Sequence, residues 1–146
     1  ALPKARIDPA MVAHLIYEPS YLSLEYALSY YQIMPDVTFS LTSVSTRKTK
    51  AFTNPLGNFT YRQIKPELFF GFTNQHGMLL AEPEKALLDY LYLNQNRLET
   101  TPDYLEELRL QNLDILDLPK FQTYLNRFDQ PKMTRFWSAC LAYYLN

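Results

Sequence analysis

The sequence predicts an α+β fold. About five mostly antiparallel strands between residues 37 and 81 should pack against one N-terminal amphipathic helix and a C-terminal layer of about four helices. Three observations carry that expectation. Val37, Phe39 and Leu41 alternate with Thr38, Ser40 and Thr42, and β-branched or aromatic residues recur at Thr49, Phe52, Phe59, Tyr61 and Ile64, the period-two grammar of strands. From Glu82 onward apolar residues return every three or four positions, the helical period. Strands come first and helices last, without the alternation that a parallel βαβ sheet requires.

Taken in order, Asp8-Pro9 is a helix-start signal, because Asp can cap and Pro is tolerated at the first helical position, and Met11 to Ile16 supply one or two turns before Pro19. Ser23 is positioned to cap a second helix, with Glu25 in its first turn and Leu24, Ala27, Leu28 and Tyr31 on one face; Pro35 closes it. The strand 37–42 follows. A hairpin is expected next, because Asn54-Pro55-Leu56-Gly57 has the composition of a type I turn between two β runs. Leu68-Phe69-Phe70-Gly71-Phe72 predicts a buried strand, with Gly71 marking a bulge or a close backbone approach. Thr73 to Gly77 then bridges to Met78-Leu79-Leu80-Ala81, a second hairpin.

Pro83 opens a long helix whose N-terminus carries Glu82 and Glu84 and whose broad apolar face includes Ala86, Leu87, Tyr90, Leu91 and Leu93. Thr101-Pro102 starts a helix from Asp103 to about Leu110. Asp117-Leu118-Pro119 starts another, with Phe121, Tyr124, Leu125 and Phe128 on one stripe. Asp129 precedes a last helix striped by Met133, Phe136, Trp137, Cys140, Leu141 and Tyr144. No internal repeat or Gly/Ser linker divides the chain, so 1–146 is expected to be one domain.

Composition narrows the function classes. With 47% apolar and 20% charged residues the chain can bury a sizeable core, about 70% of its unfolded surface at this length. No apolar run approaches the roughly 20 residues of a membrane span. The single cysteine, Cys140, precludes an internal disulfide and fits a reducing compartment, so the cytoplasm is the expected location. The chain begins Ala-Leu-Pro-Lys without an initiator Met, and an excised or trimmed domain is expected.

Net charge of −1 conceals a segregation: residues 37–66 hold Arg47, Lys48, Lys50, Arg62 and Lys65 and no Asp or Glu, whereas the remainder holds nine basic and fifteen acidic residues. These five cations are the candidate contacts for nucleic acid or an acidic partner, with Phe52, Phe59 and Tyr61 as potential stacking surfaces. Strand alternation separates the two sets, sending Phe59 and Tyr61 towards the core and Arg62 towards water. Two other roles are open to the cations: discouraging edge-to-edge pairing, or docking on the acidic segment 98–119, which holds Glu99, Asp103, Glu106, Glu107, Asp114 and Asp117 against Arg109.

No cofactor or metal is expected. His14, His76 and Cys140 are scattered, and the three glycines form no phosphate-cradling loop. The candidate enzymatic constellation is Glu82, Glu84, Lys85 and Asp89, an acidic pair and a Lys directly after a strand, as metal-dependent nucleases or nucleotidyl-transferring domains use. The competing explanation makes Glu82 and Glu84 helix-dipole partners and Lys85 and Asp89 an i,i+4 pair on a solvated face.

Several motifs together carry a family likeness: Pro19-Ser20-Tyr21-Leu22-Ser23-Leu24-Glu25-Tyr26-Ala27-Leu28, Thr42-Ser43-Val44 before a basic run, Gly57-Asn58-Phe59-Thr60-Tyr61-Arg62, Phe69-Phe70-Gly71-Phe72 and Glu84-Lys85-Ala86-Leu87-Leu88-Asp89. In this order and spacing, over roughly residues 7–93, the chain resembles the C-terminal domain of AbiEi-like antitoxins, predicted transcriptional regulators of phage-defence systems. The resemblance implies a non-enzymatic antitoxin domain. It implies an N-terminal winged helix-turn-helix, outside this chain, that binds operator DNA, and a functional pairing with a nucleotidyltransferase-like toxin in a type IV toxin–antitoxin system. The motif residues are expected to be architectural, which leaves Arg47, Lys48, Lys50, Arg62 and Lys65 as surface contacts assisting the DNA-binding module.

Overall fold

A computed structural model describes residues 7–35 and 39–145. Its strands are β1 (Ser20–Leu22), β2 (Ser40–Ser45), β3 (Lys50–Asn54), β4 (Gly57–Gln63), β5 (Phe72–Gln75) and β6 (Met78–Ala81). They form one mixed sheet in the order β3-β4-β2-β1-β6-β5. The two expected hairpins, β3–β4 and β5–β6, are antiparallel, as is β1–β2, while β2–β4 and β1–β6 run parallel. The α+β class is as predicted, with six strands and not five. The additional strand, β1, lies in the stretch taken for a helix lead-in, and all three of its residues are buried.

Register sorts the side chains by face, because residues directly opposite across a pair point the same way. Leu22, Ser43 and Tyr61 are in register on one face, and Leu41 and Phe59 join them. Helix α1 (Pro9–Ile16) covers this face, started by Asp8, whose Oδ1 accepts from the Ala10 amide at 3.0 Å. The Tyr61 hydroxyl donates to the Ala13 carbonyl at 2.5 Å, tying strand to helix. Phe59 and Tyr61 are accordingly fully buried, as alternation required.

The opposite face presents Tyr21 and Val44 to α2 (Leu24–Tyr30) and α3 (Pro83–Leu93). Thr42 fastens the start of α2, its Oγ1 accepting from the Tyr26 amide at 2.9 Å and donating to the Ser23 carbonyl at 2.7 Å. Ser23 is the residue before the helix, as expected, but its side chain makes no cap and points into the core instead.

Helices α4 (Pro102–Leu108), α5 (Leu118–Phe128) and α6 (Pro131–Tyr144) complete the C-terminal layer. Thr101 and Asp117 stand at the helix starts expected there and cap them, accepting from Tyr104 N and Lys120 N. Phe121, Leu125 and Phe128 of α5 meet Met133, Phe136, Trp137 and Cys140 of α6 in the core, with the Phe121 and Trp137 rings 4.1 Å apart. Asp129 does not cap α6; it ends α5 in the left-handed region (φ 52°), and Gln130 precedes α6.

Two strand boundaries differ from expectation. The start of the strand anticipated at Val37 lies outside the described residues, and Phe39 is 91% exposed, so burial begins at Leu41 and continues to Ser45. Leu68 to Phe72 is not a strand. Pro66–Leu68 forms a 3-10 turn, and pairing begins only at Phe72, running through the Thr73–Gln75 segment assigned to a bridge. Gly71 explains the break: its φ is +75°, and a Cβ there would sit 2.9 Å from Lys85 Cγ. The close approach expected of this glycine is therefore real, and its neighbour is a buried lysine.

Candidate functional site

The cations of the basic segment divide into two groups. Lys50 is opposite Tyr61 in the β3–β4 register and so shares the α1 face, whereas Arg62, next along β4, points to the α3 side. On the α1 side, the Arg47 guanidinium lies 4.1 Å above the Tyr17 ring and donates to the Glu18 carbonyl at 3.2 Å. Lys50 Nζ is 5.2 Å from the Phe52 ring centre, and the Tyr17 hydroxyl donates to the Lys48 carbonyl at 2.8 Å. Arg47, Lys48 and Lys50 are all exposed along the edge of the sheet. Cation–π contact of this kind orients a cation without neutralising it.

Arg62 is half-buried, its Nη2 donating to the Leu93 carbonyl at 3.4 Å, where the negative end of the α3 dipole favours a cation. Lys65 is exposed beyond β4, beside Tyr92. The ion pairs among the described residues involve only Lys85 and Lys120, so none of the five cations pairs with a carboxylate and the acidic segment 98–119 does not hold them. The internal docking considered from the sequence is not formed there.

The constellation after β6 is placed very differently from the solvated pair anticipated. Lys85 and Asp89 are both 0% exposed. Lys85 Nζ donates to Asp89 Oδ1 at 2.6 Å, to the Tyr21 hydroxyl at 2.6 Å and to the Leu68 carbonyl at 2.7 Å. Tyr21 and Ser23 each donate to Asp89 Oδ2 at 2.8 Å. Every hydrogen of the ammonium and both oxygens of the carboxylate are engaged, the condition under which a buried ion pair persists. Burial drives the Asp89 carboxyl up and the Lys85 ammonium down from their ordinary values, and the attraction between them opposes both shifts. The same burial and the nearby Asp89 charge raise the Tyr21 hydroxyl well above its usual range.

Glu84 is 3% exposed; its Oε2 accepts from the Asp117 amide at 2.8 Å, stitching the start of α3 to the start of α5. Glu82 accepts from Lys120 at 2.8 Å and Tyr124 at 2.6 Å. Desolvation opposes ionisation of Glu82, and the hydrogen bonds from Lys120 and Tyr124 outweigh it, leaving the carboxyl below its ordinary value. These four residues thus bind sheet, α3 and α5 together. A signal for this burial exists in the sequence: Lys85 and Asp89 are interleaved with Ala86, Leu87 and Leu88, so α3 has no continuous polar face at its centre to turn to solvent.

His14 is on α1, His76 in the β5–β6 turn and Cys140 inside α6, and among the described residues no three His, Cys, Asp or Glu side chains gather as metal ligands. Nor, among those residues, is any helix long and apolar enough to cross a membrane. What the chain presents is an α+β domain with a cationic, aromatic-backed sheet edge and an ion pair sealed in its core. Comparison with protein-family models, with curated proteins and with solved structures finds no match for it.

Proposed function

We propose that the chain is a non-enzymatic antitoxin and transcriptional-regulator domain of the AbiEi-like type. It acts in the cytoplasm with an attached N-terminal DNA-binding module and in functional pairing with a nucleotidyltransferase-like toxin. Its own contribution is an electrostatic contact to nucleic acid. The observation that supports this best is the exposed set Arg47, Lys48 and Lys50, free of carboxylate partners at an open sheet edge, with Arg47 held over Tyr17 and Lys50 over Phe52. Such an edge supplies phosphate contacts that fix position without reading sequence.

The motifs behind the family resemblance supply the scaffold in this account. Tyr21, Ser23, Lys85 and Asp89 belong to one buried network, and Glu84 joins two helices. With Asp89 and Lys85 closed to solvent, a nuclease or nucleotidyl-transferring centre at Glu82, Glu84, Lys85 and Asp89 has less in its favour.

The test is a reporter under the protein's own promoter in cells making the full-length protein. Replacing Arg47, Lys48 and Lys50 by Ala should raise reporter output while leaving the amount of folded protein unchanged; unchanged repression would refute the contact. Calorimetry with Mg²⁺ or Mn²⁺ at millimolar concentration addresses the enzymatic alternative, which requires binding heat that Glu84→Gln abolishes.

A further inference from the structure

β3 is an outer strand of the sheet, and register divides its backbone groups. Asn54 pairs with Gly57 across the two-residue turn Pro55-Leu56, and the pair flanking such a turn is hydrogen-bonded, so Phe52 with Phe59 and Lys50 with Tyr61 are the next bonded pairs. Ala51 and Thr53 fall between them and turn their N–H and C=O groups away from β4. Both residues are exposed, and their outward groups have no hydrogen-bond partner among the described residues. The edge therefore offers donors and acceptors in equal number.

The unpaired cations stand at the start of the same strand. Arg47 and Lys48 precede it and Lys50 opens it. Lys50 shares the α1 face with Phe52, which is half-buried, its ring 5.7 Å from that of Tyr17 and 5.9 Å from that of Tyr61. The other outer strand, β5, carries no charge, and the side chains of Asn74 and Gln75 are engaged locally by the Gly77 amide and the Thr73 hydroxyl.

These features select an occupant for the β3 edge. Phosphates accept hydrogen bonds and donate none, so a nucleic-acid backbone along the edge leaves the Ala51 and Thr53 carbonyls unpaired and facing an anion. An extended peptide satisfies both kinds of group. A second copy of β3 brings a second set of uncompensated cations, the arrangement by which lysines keep edges from pairing. Carboxylates on the incoming strand turn the same cations into attraction.

We propose that β3 receives an extended acidic peptide as an added antiparallel strand. Its backbone pairs with Ala51 and Thr53, an apolar side chain lies beside Phe52, and carboxylates lie beside Lys50 and, past the start of the strand, Lys48 and Arg47. Antiparallel addition orders the partner's residues: an apolar one first, then acidic ones two and four positions later. The peptide goes beyond the nucleic-acid reading and, by taking the same cations, excludes nucleic acid while it is bound.

The probe is a fluorescein-labelled peptide, Thr-Val-Thr-Glu-Thr-Glu with both ends blocked, titrated with the protein by anisotropy at low salt. N-methylation of its first and third residues, whose amides face β3, should abolish binding, whereas N-methylation of the second and fourth, at identical charge, should leave it. Ala51→Pro and Thr53→Pro each remove one outward N–H without breaking a β3–β4 bond, and each should weaken the peptide about threefold to tenfold, the effect of one hydrogen bond, with affinity for a DNA duplex unchanged. Lys50→Ala should weaken both ligands, and unlabelled peptide should displace the duplex. Equal binding of the two methylated peptides, or wild-type peptide affinity in both proline variants with thermal stability intact, would overturn strand addition. An unmodified peptide that fails to bind would overturn it as well, leaving the nucleic-acid contact standing if the duplex binds. Peptide binding without duplex binding would retire the nucleic-acid contact instead.

Discussion

Asp89→Ala should be among the most damaging single changes in the chain. Removing the carboxylate leaves the Lys85 ammonium fully buried with only the Tyr21 hydroxyl and the Leu68 carbonyl, and frees the hydroxyls of Tyr21 and Ser23 from their acceptor. Breaking a buried pair in this way costs about 3–5 kcal/mol, mostly the uncompensated charge. At about 2–4 °C per kcal/mol for a domain of this size, the midpoint should fall by roughly 10 °C or more. Urea and thermal denaturation followed by circular dichroism would measure it beside Lys85→Met and the double variant Lys85→Met/Asp89→Leu. The double variant should recover most of the loss, since an apolar pair of similar volume incurs no charge burial. Lys85→Met alone should show a pH signature. Burial already pushes Asp89 up, and without Lys85 nothing cationic at contact opposes that shift. A carboxyl with a raised folded pKa contributes stability that is complete below the unfolded value, about 4, and is lost as pH rises, so the deficit should grow above that point. An Asp89→Ala protein within about 1 kcal/mol of wild type would refute the burial reasoning.

Three further outcomes follow from the packing. Gly71→Ala should destabilise by about 2–4 kcal/mol, because φ is +75° and the new methyl meets the Lys85 stem at 2.9 Å, whereas Gly77→Ala meets the flexible end of Met11 and should cost nearer 1 kcal/mol in the same denaturation assay. Lys120→Ala should lower stability at neutral pH but not in acid: Glu82 is held below its ordinary value, so its contribution exists above the unfolded pKa of about 4 and disappears as pH falls through the folded one. The Cys140 thiol, buried and pushed up to about 12, should ignore an aromatic disulfide reagent at pH 8 and react at once in denaturant.

Local chemistry made much of this fold legible. Asp8-Pro9, Thr101-Pro102 and Asp117 announce helix starts because capping needs only a side-chain oxygen two or three residues from a free amide, and each cap is present. Alternation placed Phe59 and Tyr61 in the core for a similarly local reason. Tertiary decisions were less accessible. β1 is three residues long, too short for any period, and is a strand only because β2 and β6 flank it. Leu68–Phe72 has strand composition, yet Phe70 is diverted to cover Lys85 and Phe69 to pack on Tyr21, partners fifteen or more positions away. The i,i+4 spacing of Lys85 and Asp89 suits a surface as well as an interior, and only the apolar residues between them pointed inward. The five cations form one cluster in sequence and two in space, because successive residues of β4 face opposite sides of the sheet.

That division supplies the most direct test of the account. Affinity of the full-length protein for its promoter DNA would be measured across salt concentrations for wild type, Arg47→Ala/Lys48→Ala/Lys50→Ala and Arg62→Ala/Lys65→Ala. A cationic edge on the α1 side predicts that the first variant lowers the slope of log K against log salt by about three units, near 0.9 for each lost phosphate contact. The second should lower it by about one at most, since Arg62 already serves the end of α3. Three identical slopes would contradict the claim that this edge contacts nucleic acid.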